Sequence, residues 1–432
     1  MTDGEGGLHG ILWIGFPCEQ EQVASAMVDY PRAQVSLVQP VSEALSKTQF
    51  WNHRSMTEFR FIHSSDLHLG RRFGNFPEHI RGRLVEARHA TINVLSGTAR
   101  NHEASHVLIG GDLFDTETPS NLVWRQALSA MAAAEDIQWW IIPGNHDSLA
   151  AEALWDPFRA QSPGNVHLCD AAKPVEITPG AMLLPSPVPS RFPGRDTTEW
   201  MTGCPTSEGS LRIGLAHGGI VTFGSEDDGS ETISSDRAAS AGLDYLALGD
   251  WHGYMRIGER TFYSGSPERD RFKHRGRGIC LALTIPGPGA VPEVAQILTG
   301  RFDWHDVALP LTPEQDPAAA LADLLPGDGR ARRDTLVRVR ASGWTRLPAR
   351  MELRRAAEDA APEFGYFELS DAELATECVP DDLDDIARRG ALRMAAEALY
   401  KDATDGAMSA EDRAVAAAAL SRLYGYLTGK VQ

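Results

Sequence analysis

Between residue 59 and about residue 300, short apolar runs alternate with amphipathic stretches. Six of the runs, FRFIHSS, HVLIGGD, WWIIPGNHD, LRIGLAHG, LDYLALGD and GICLALTI, read as strands. They are almost continuously apolar, the pattern of strands covered on both faces of a sheet. Each of the first five ends in Gly, Ser, Asp, Asn or His. Strand ends are where α/β folds place their sites. The pattern predicts an α/β class with polar side chains collected behind buried strands.

Beyond PGPGAVP (286–292), a turn or linker signal, the texture changes. RFDWHDVALPL and TLVRVRAS read as strands around a helical DPAAALADLL, and the last fifty or so residues read as helices. Ser409-Ala410-Glu411-Asp412 has the form of a capping box. Ala416, Leu420, Leu423 and Leu427 follow it as an apolar stripe. Ahead of residue 59, a strand-like GILWIGF and AQVSLVQP alternate with helix-like EQEQVASAMVDY and SEALSKTQF, and Met56 offers a second start. Four segments result: an N-terminal extension over 1–55 that reads as a small α/β appendage, a catalytic domain over 56–300, a small α+β cap over 301–380 and a helical segment over 381–432.

Composition narrows the class of protein. Apolar residues make up 42% of the 432-residue chain, enough for sizeable cores. No apolar run approaches the ~20 residues that span a membrane. GILWIGFPC lacks the basic lead of a signal peptide. Cys18, Cys169, Cys204, Cys280 and Cys378 show no paired spacing, which favours reduced thiols and a cytoplasmic location. The net charge of -18 argues against a uniformly basic nucleic-acid coat and leaves a local basic track open.

Five polar signals occur in order at strand ends: Asp66-Leu67-His68, Gly111-Asp112, Gly144-Asn145-His146-Asp147, His217, and Gly249-Asp250-Trp251-His252. Each alone reads as a turn or a structural histidine. Together they place carboxylate, amide and imidazole donors behind five successive buried strands, which points to a metal site. Residues i and i+2 of an extended chain share a face, so Asp66 and His68 are expected to start that site from the end of the first strand. No cysteine lies in the five signals, which disfavours a thiolate zinc site.

This order of motifs resembles the calcineurin-like metallophosphoesterases over about 66–252. The resemblance implies a two-sheet sandwich flanked by helices and two divalent ions. Mn²⁺ is the first choice, with Mg²⁺, Fe and Zn²⁺ as alternatives. It implies that Asp66, His68 and His252 hold the first ion, that Asp112 bridges, and that Asn145, His217 and Asp250 hold the second. His146 is implied to protonate the leaving oxygen, with Asp147 orienting it. The family usually has histidine where this chain has Asp250, and a carboxylate there favours a hard ion.

FIHSSDLHLG, GGDLFD, IIPGNHD and YSGSPERDRF look most like the DNA-repair exonuclease branch, the SbcD-like nuclease subunits. That branch implies DNA as substrate, cleaved as an exonuclease or single-strand endonuclease, an SMC-like coiled-coil ATPase as partner, and homodimerisation; no membrane is implied. The basic RDRFKHRGR segment, with Arg269 and Arg271, and Arg71 and Arg72 beyond the first motif are the expected substrate contacts. Arg330, Arg332, Arg333, Arg338, Arg340 and Arg346 of the cap are a second basic group. Two alternatives stand beside this reading: hydrolysis of nucleotides, cyclic nucleotides or other small phosphodiesters, and a DNA-binding scaffold with a disabled second site.

Overall fold

The computed structural model describes residues 58–220, 231–327, 329–377, 379, 381–387 and 389–427. The extension expected over 1–55 lies outside the described residues. Chain order begins with β1 (Phe59–Ser64), α1 (Glu78–Asn101), β2 (His106–Gly110), α2 (Asn121–Ala132), β3 (Gln138–Ile142), α3 (Glu152–Gln161) and β4 (Val166–Leu168). These four strands pair in parallel, each with the next. The second sheet is built from β5 (Val175–Thr178), β6 (Ala181–Ser186) and β7 (Leu211–His217). A short pair, β8 (Gly219–Ile220) and β9 (Glu231–Ile233), and the one-turn helix α4 (Arg237–Ser240) follow. Then β10 (Tyr245–Gly249), β11 (Met255–Arg256) and β12 (Thr261–Tyr263) complete it.

In that sheet β6, β7, β10 and β12 run parallel, with β5 and β11 antiparallel at the edges. The chain then returns to the first sheet with β13 (Ile279–Ile285) and β14 (Glu293–Leu298), antiparallel beside β1. PGPGAVP is the turn of that hairpin. The two six-stranded sheets have the orders β14-β13-β1-β2-β3-β4 and β11-β12-β10-β7-β6-β5. They form the mixed α/β sandwich of the expected class.

The continuous apolar runs follow from burial on both faces. On β2, Leu108 faces the second sheet while Val107 and Ile109 face α1–α3. On β3, Trp140 and Ile142 face inward and Trp139 and Ile141 face the helices. The second sheet mirrors this: Tyr245 and Ala247 of β10 point into the sandwich, and Leu246 and Leu248 pack under Met201, Ala238 and Leu243. In α1 the buried Ile80, Leu84, Ala87, Ile92, Leu95 and Ala99 recur at helical spacing and lay one face on the sheet.

A third sheet contains β15 (Asp303–Leu311), β16 (Thr335–Arg346) and β17 (Tyr366–Glu377), all parallel. The helices α5 (Pro317–Leu324) and α6 (Leu347–Ala360) make the crossovers. Asp316 caps α5 by accepting from the amides of Ala318 (2.9 Å) and Ala319 (3.1 Å), with Pro317 in the first turn. This sheet leans on the sandwich through Trp304, Phe302 and Leu336 packed against Phe73, Phe76, Ile80 and Phe272.

Three helices close the described chain: α7 (Asp382–Ile386), α8 (Ala391–Thr404) and α9 (Ala410–Leu427). Ser409 Oγ accepts the Asp412 amide at 3.0 Å and donates to its carboxylate at 2.7 Å. Ser409 thus caps the helix, while Asp412 bonds the hydroxyl in place of the Ser409 amide that a capping box would use. Leu420 of the stripe, with Tyr424 beside it, packs with Leu347, Met351, Leu383, Ile386 and Ala396, and Leu423 lies against them, while Leu427 stays exposed. No helix among the described residues is long and apolar enough to cross a membrane. Cys169, Cys204 and Cys280 carry free thiols.

Candidate metal centre

Every expected ligand sits at or just past the C-terminal end of a parallel strand: Asp66 and His68 after β1, Asp112 after β2, Asn145 after β3, His217 at the end of β7, and Asp250 and His252 after β10. The local reason differs from the expected one at the first strand. β1 ends at Ser64, and Asp66 (φ 55°) and His68 (φ 44°) are in the left-handed region, so extended alternation does not bring them together. Backbone bonds to the next loop do. The amides of Asp66, His68 and Leu69 donate to the carbonyls of Gly111 (3.1 Å), Asp112 (2.9 Å) and Leu113 (2.9 Å).

Asp112 (φ 53°) and Asp250 (φ 104°) are left-handed too, so four of the six non-glycine residues with positive φ among the described residues are candidate ligands. Such backbone costs on the order of 1–3 kcal/mol each and persists where surrounding structure over-determines it.

Two motif glycines are explained by close approach. A Cβ on Gly111 (φ +88°) would lie 2.3 Å from His217 Nδ1, and one on Gly144 would lie 2.2 Å from Asp112 Oδ1. Hence GD and GN: any side chain at these positions would displace a ligand.

The donors gather in two overlapping groups, Asp66 with His68 and His252, and Asp66 with Asp112 and His217, and a third set of His68, Asp112 and His146 lies between them. In the first, His68 Nε2 and His252 Nε2 are 3.2 Å apart, and they lie 4.0 and 3.9 Å from Asp66 Oδ1. In the second, His217 Nε2 lies 3.6 Å from Asp112 Oδ1 and 3.8 Å from Asp250 Oδ1, with Asn145 Nδ2 3.5 Å from the same Asp250 atom. Asp112 faces both groups, since its Oδ2 is 3.6 Å from His68 Nε2. Bonds of ~2.0–2.2 Å to one ion put neighbouring donors roughly 3–4 Å apart, so the spacing suits a cation in each group.

Two further observations support the fit. His217 Nε2 and Asn145 Oδ1 are buried without a hydrogen-bond partner. His217 Nδ1 donates to the Gly110 carbonyl at 2.8 Å, which leaves Nε2 as the coordinating atom.

The electrostatics describe a cluster short of positive charge. Burial pushes the Asp112 carboxyl well above its ordinary value, and Asp147 and Asp66 add to the rise against the pull of His217. Burial likewise raises Asp250. At His217 burial opposes protonation, but Asp112, Asp250, Asp66 and the Gly110 carbonyl outweigh it and raise the imidazole to about 9. His68 moves the other way, held neutral by burial and then by His252, Arg88 and His146. Neutral imidazole beside crowded carboxylates is a donor set for divalent cations.

Several side chains take roles other than those expected. Asp147 does not orient His146. Its buried carboxylate accepts from the amides of Gly144 (2.7 Å) and Phe114 (2.9 Å) and so ties the loop after β3 to the loop after β2. The His146 ring is held instead by the Asp115 carbonyl, 3.0 Å from Nδ1, and its amide donates to Asp112 Oδ1 at 2.9 Å. Arg269, expected at the substrate, is 6% exposed and donates to the His252 carbonyl, so it braces a ligand loop from inside. Arg271 lies on Asp270 at 3.0 Å and Arg71 on Asp115 at 3.1 Å, while Arg72 is exposed.

Three residues that the motifs did not single out belong to the site. Ser65 Oγ donates to Asp66 Oδ2 at 2.5 Å, and Asp115 and Asp270 face the outer nitrogens of His68 and His252. The final acids of GGDLFD and of SPERD were the only signals of Asp115 and Asp270 in the sequence.

A family model described as calcineurin-like phosphoesterase matches residues 59–274, half of the chain. No curated protein matches. Among solved structures, TT1561 of Thermus thermophilus is 10% identical and aligns over 56% of this chain and 100% of its own, with a TM-score of 0.37. GAP50, the anchor in the inner membrane complex of Plasmodium, is 10% identical over 56% of this chain and 89% of its own, with a TM-score of 0.30.

Proposed function

Because the chain belongs to the calcineurin-like phosphoesterases, metal-dependent hydrolases of phosphoesters, we propose that it is a DNA nuclease, acting as an exonuclease or single-strand endonuclease in DNA repair. The observation that carries this reading is a pair of exposed basic segments anchored to the ligand loops. One continues from Asp270, beside His252, through the exposed Arg271, Lys273 and Arg275, with Lys273 4.7 Å from the Trp251 ring. The other is Arg191-Phe192-Pro193-Gly194-Arg195. It follows Val188, whose amide donates to the Pro143 carbonyl (3.1 Å) and whose carbonyl accepts from Leu149 (2.9 Å), on either side of the Asn145-His146-Asp147 turn. Phe192 is 80% exposed between two arginines. An exposed ring beside cations suits unpaired bases and phosphates.

The cap arginines support the reading less. Arg332, Arg338, Arg340 and Arg346 pair with Glu363, Glu368, Asp306 and Asp382, and the Arg330 side chain lies outside the described residues.

Two divalent ions held by the ligand groups would supply Lewis-acid neutralisation of the phosphoryl oxygens. The chain's own residues supply the rest. Asp112 presents one carboxylate oxygen to each group and fixes their spacing. His146 donates Nδ1–H to the Asp115 carbonyl, so Nε2 is the atom that delivers a proton to the leaving oxygen. Asp250 leaves the second group with one imidazole where the first has two, a harder donor set that favours Mn²⁺ or Mg²⁺ there. Leu392, Met394, Val415 and Tyr426 on α8 and α9, 45–71% exposed, are the surface offered to an SMC-like coiled-coil ATPase.

The test is cleavage of end-labelled single- and double-stranded DNA in Mn²⁺, Mg²⁺, Zn²⁺ or EDTA, beside an Asp112→Ala control. Metal-dependent cleavage lost in the variant supports the nuclease. Turnover of bis-p-nitrophenyl phosphate or a cyclic nucleotide without DNA cleavage would move the assignment to small phosphodiesters, the reading favoured by the net charge of -18.

A further inference from the structure

The two imidazoles of the first ligand group are backed by two carboxylates that share one guanidinium. His252 bonds through Nδ1 to Asp270 Oδ1 at 3.4 Å, whereas His68 Nδ1 lies 3.5 Å from Asp115 Oδ1 and has no hydrogen-bond partner. Arg71 Nη1 lies 3.1 Å from Asp115 Oδ1 and 3.3 Å from Asp270 Oδ2. Arg271 adds Nε and Nη2 to the Asp270 carboxylate at 3.0 and 3.1 Å.

Behind them, the fully buried Arg88 joins the two loops, since it donates to the Leu67 carbonyl, between Asp66 and His68, and to the Glu268 carbonyl at 2.9 Å. Asp270 is the one acid in an otherwise basic run, RDRFKHRGR, and it is buried while Lys273 and Arg275 around it are exposed. A buried acid on that segment has a reason to be there if it works on His252.

We propose that Asp270, held by Arg71 against Asp115, is a positioning residue that sets the affinity of the first metal site alone. The proposal rests on the reading of His68 and His252 as ligands. An imidazole that coordinates through Nε2 must carry its proton on Nδ1, and a carboxylate facing Nδ1 fixes that tautomer and the plane of the ring. Loss of such a partner costs about 10- to 100-fold in metal affinity in comparable sites. Among the described residues the second group has no equivalent carboxylate: His217 Nδ1 is served by the Gly110 carbonyl. The clamp therefore acts on one site and not on the other.

The experiment is calorimetric titration of Mn²⁺ into metal-stripped wild type, Asp270→Asn, Asp115→Asn and His252→Ala, with thermal unfolding of each in EDTA. Wild type should bind two ions, and His252→Ala should lose one. Asp270→Asn should weaken one site about 10- to 100-fold and leave the other unchanged. It should also melt below wild type in EDTA, because Arg71 and Arg271 lose a buried partner, but that loss of stability cannot by itself single out one of two sites. Asp115→Asn, which removes the second anchor of Arg71, should weaken the same site in the same direction by a smaller factor, and it serves if Asp270→Asn does not fold. Two wild-type affinities in a folded Asp270→Asn and Asp115→Asn would overturn the clamp while leaving the ligands in place. Fewer than two ions in wild type, or none lost in His252→Ala, would instead overturn the ligand reading and the clamp with it.

Discussion

Replacing Asp147 with asparagine separates two accounts of that residue. The resemblance implies that it orients His146; the structure has it holding two backbone amides, Gly144 at 2.7 Å and Phe114 at 2.9 Å. Asparagine is nearly the same size but offers one acceptor oxygen. Its amide group must face one of the two buried N–H groups, which then has no partner. An unsatisfied buried donor costs about 1–3 kcal/mol, and the surviving bond loses its charge assistance, so the expected loss is roughly 2–4 kcal/mol. For a chain of this size that is a fall in Tm of about 2–5 °C.

His146→Ala is the opposite case, with a rate loss of about 10²–10⁴ and an unchanged Tm. The assay is thermal unfolding in EDTA beside initial rates on bis-p-nitrophenyl phosphate for both variants. If Asp147→Asn melted with wild type while its kcat fell like that of His146→Ala, the structural role would be wrong and the orienting role right.

Gly111→Ala combines a left-handed backbone with a Cβ 2.3 Å from His217 Nδ1, and should cost about 2–4 kcal/mol in urea unfolding. It should also halve the Mn²⁺ content by displacing His217; full loading would refute the close-approach argument. Phe192→Ala should weaken binding of a single-stranded oligonucleotide by about 1–3 kcal/mol in fluorescence anisotropy, with little change on bis-p-nitrophenyl phosphate. An equal effect on both substrates would make Phe192 structural.

Stability should also fall with acid. Burial lowers His63 to about 3, and burial together with His167 lowers His106 to about 4, against an ordinary 6.5. Below pH 6.5 the unfolded chain binds protons that the folded one refuses, so stability is complete above 6.5 and is lost as pH falls toward 4. His106→Gln should flatten that slope in chemical denaturation between about pH 7 and 4.5; an unchanged slope would count against it.

Much of the centre was legible because its elements are local. The six apolar runs became β1, β2, β3, β7, β10 and β13, since continuous burial on both faces leaves no other pattern. The ligand types at their ends needed only chain order. What could not be read depends on contacts between distant segments. Asp66 and His68 looked like extended neighbours, but their left-handed backbone is imposed by carbonyls of a loop more than 40 residues away. Arg269 and Asp270 are adjacent in a basic run and both buried, for reasons that lie in His252 and Arg88. The cap arginines read as a DNA grip because their acidic partners are set by strand register, as in Arg338 opposite Glu368.

The pairing of β1 with β13 has a consequence for synthesis. Phe59 lies opposite Ile285, so the strand that opens the first sheet waits for a partner 226 residues downstream (285 less 59). At ~5–20 residues per second the ribosome takes roughly 10–45 s to deliver it. Throughout that interval β1, apolar on both faces, presents an open edge to any other chain. The ligand loop that follows it is made early, but the sheet that stiffens it closes late. Shielding that edge until β13 arrives is therefore expected to raise the yield on overexpression.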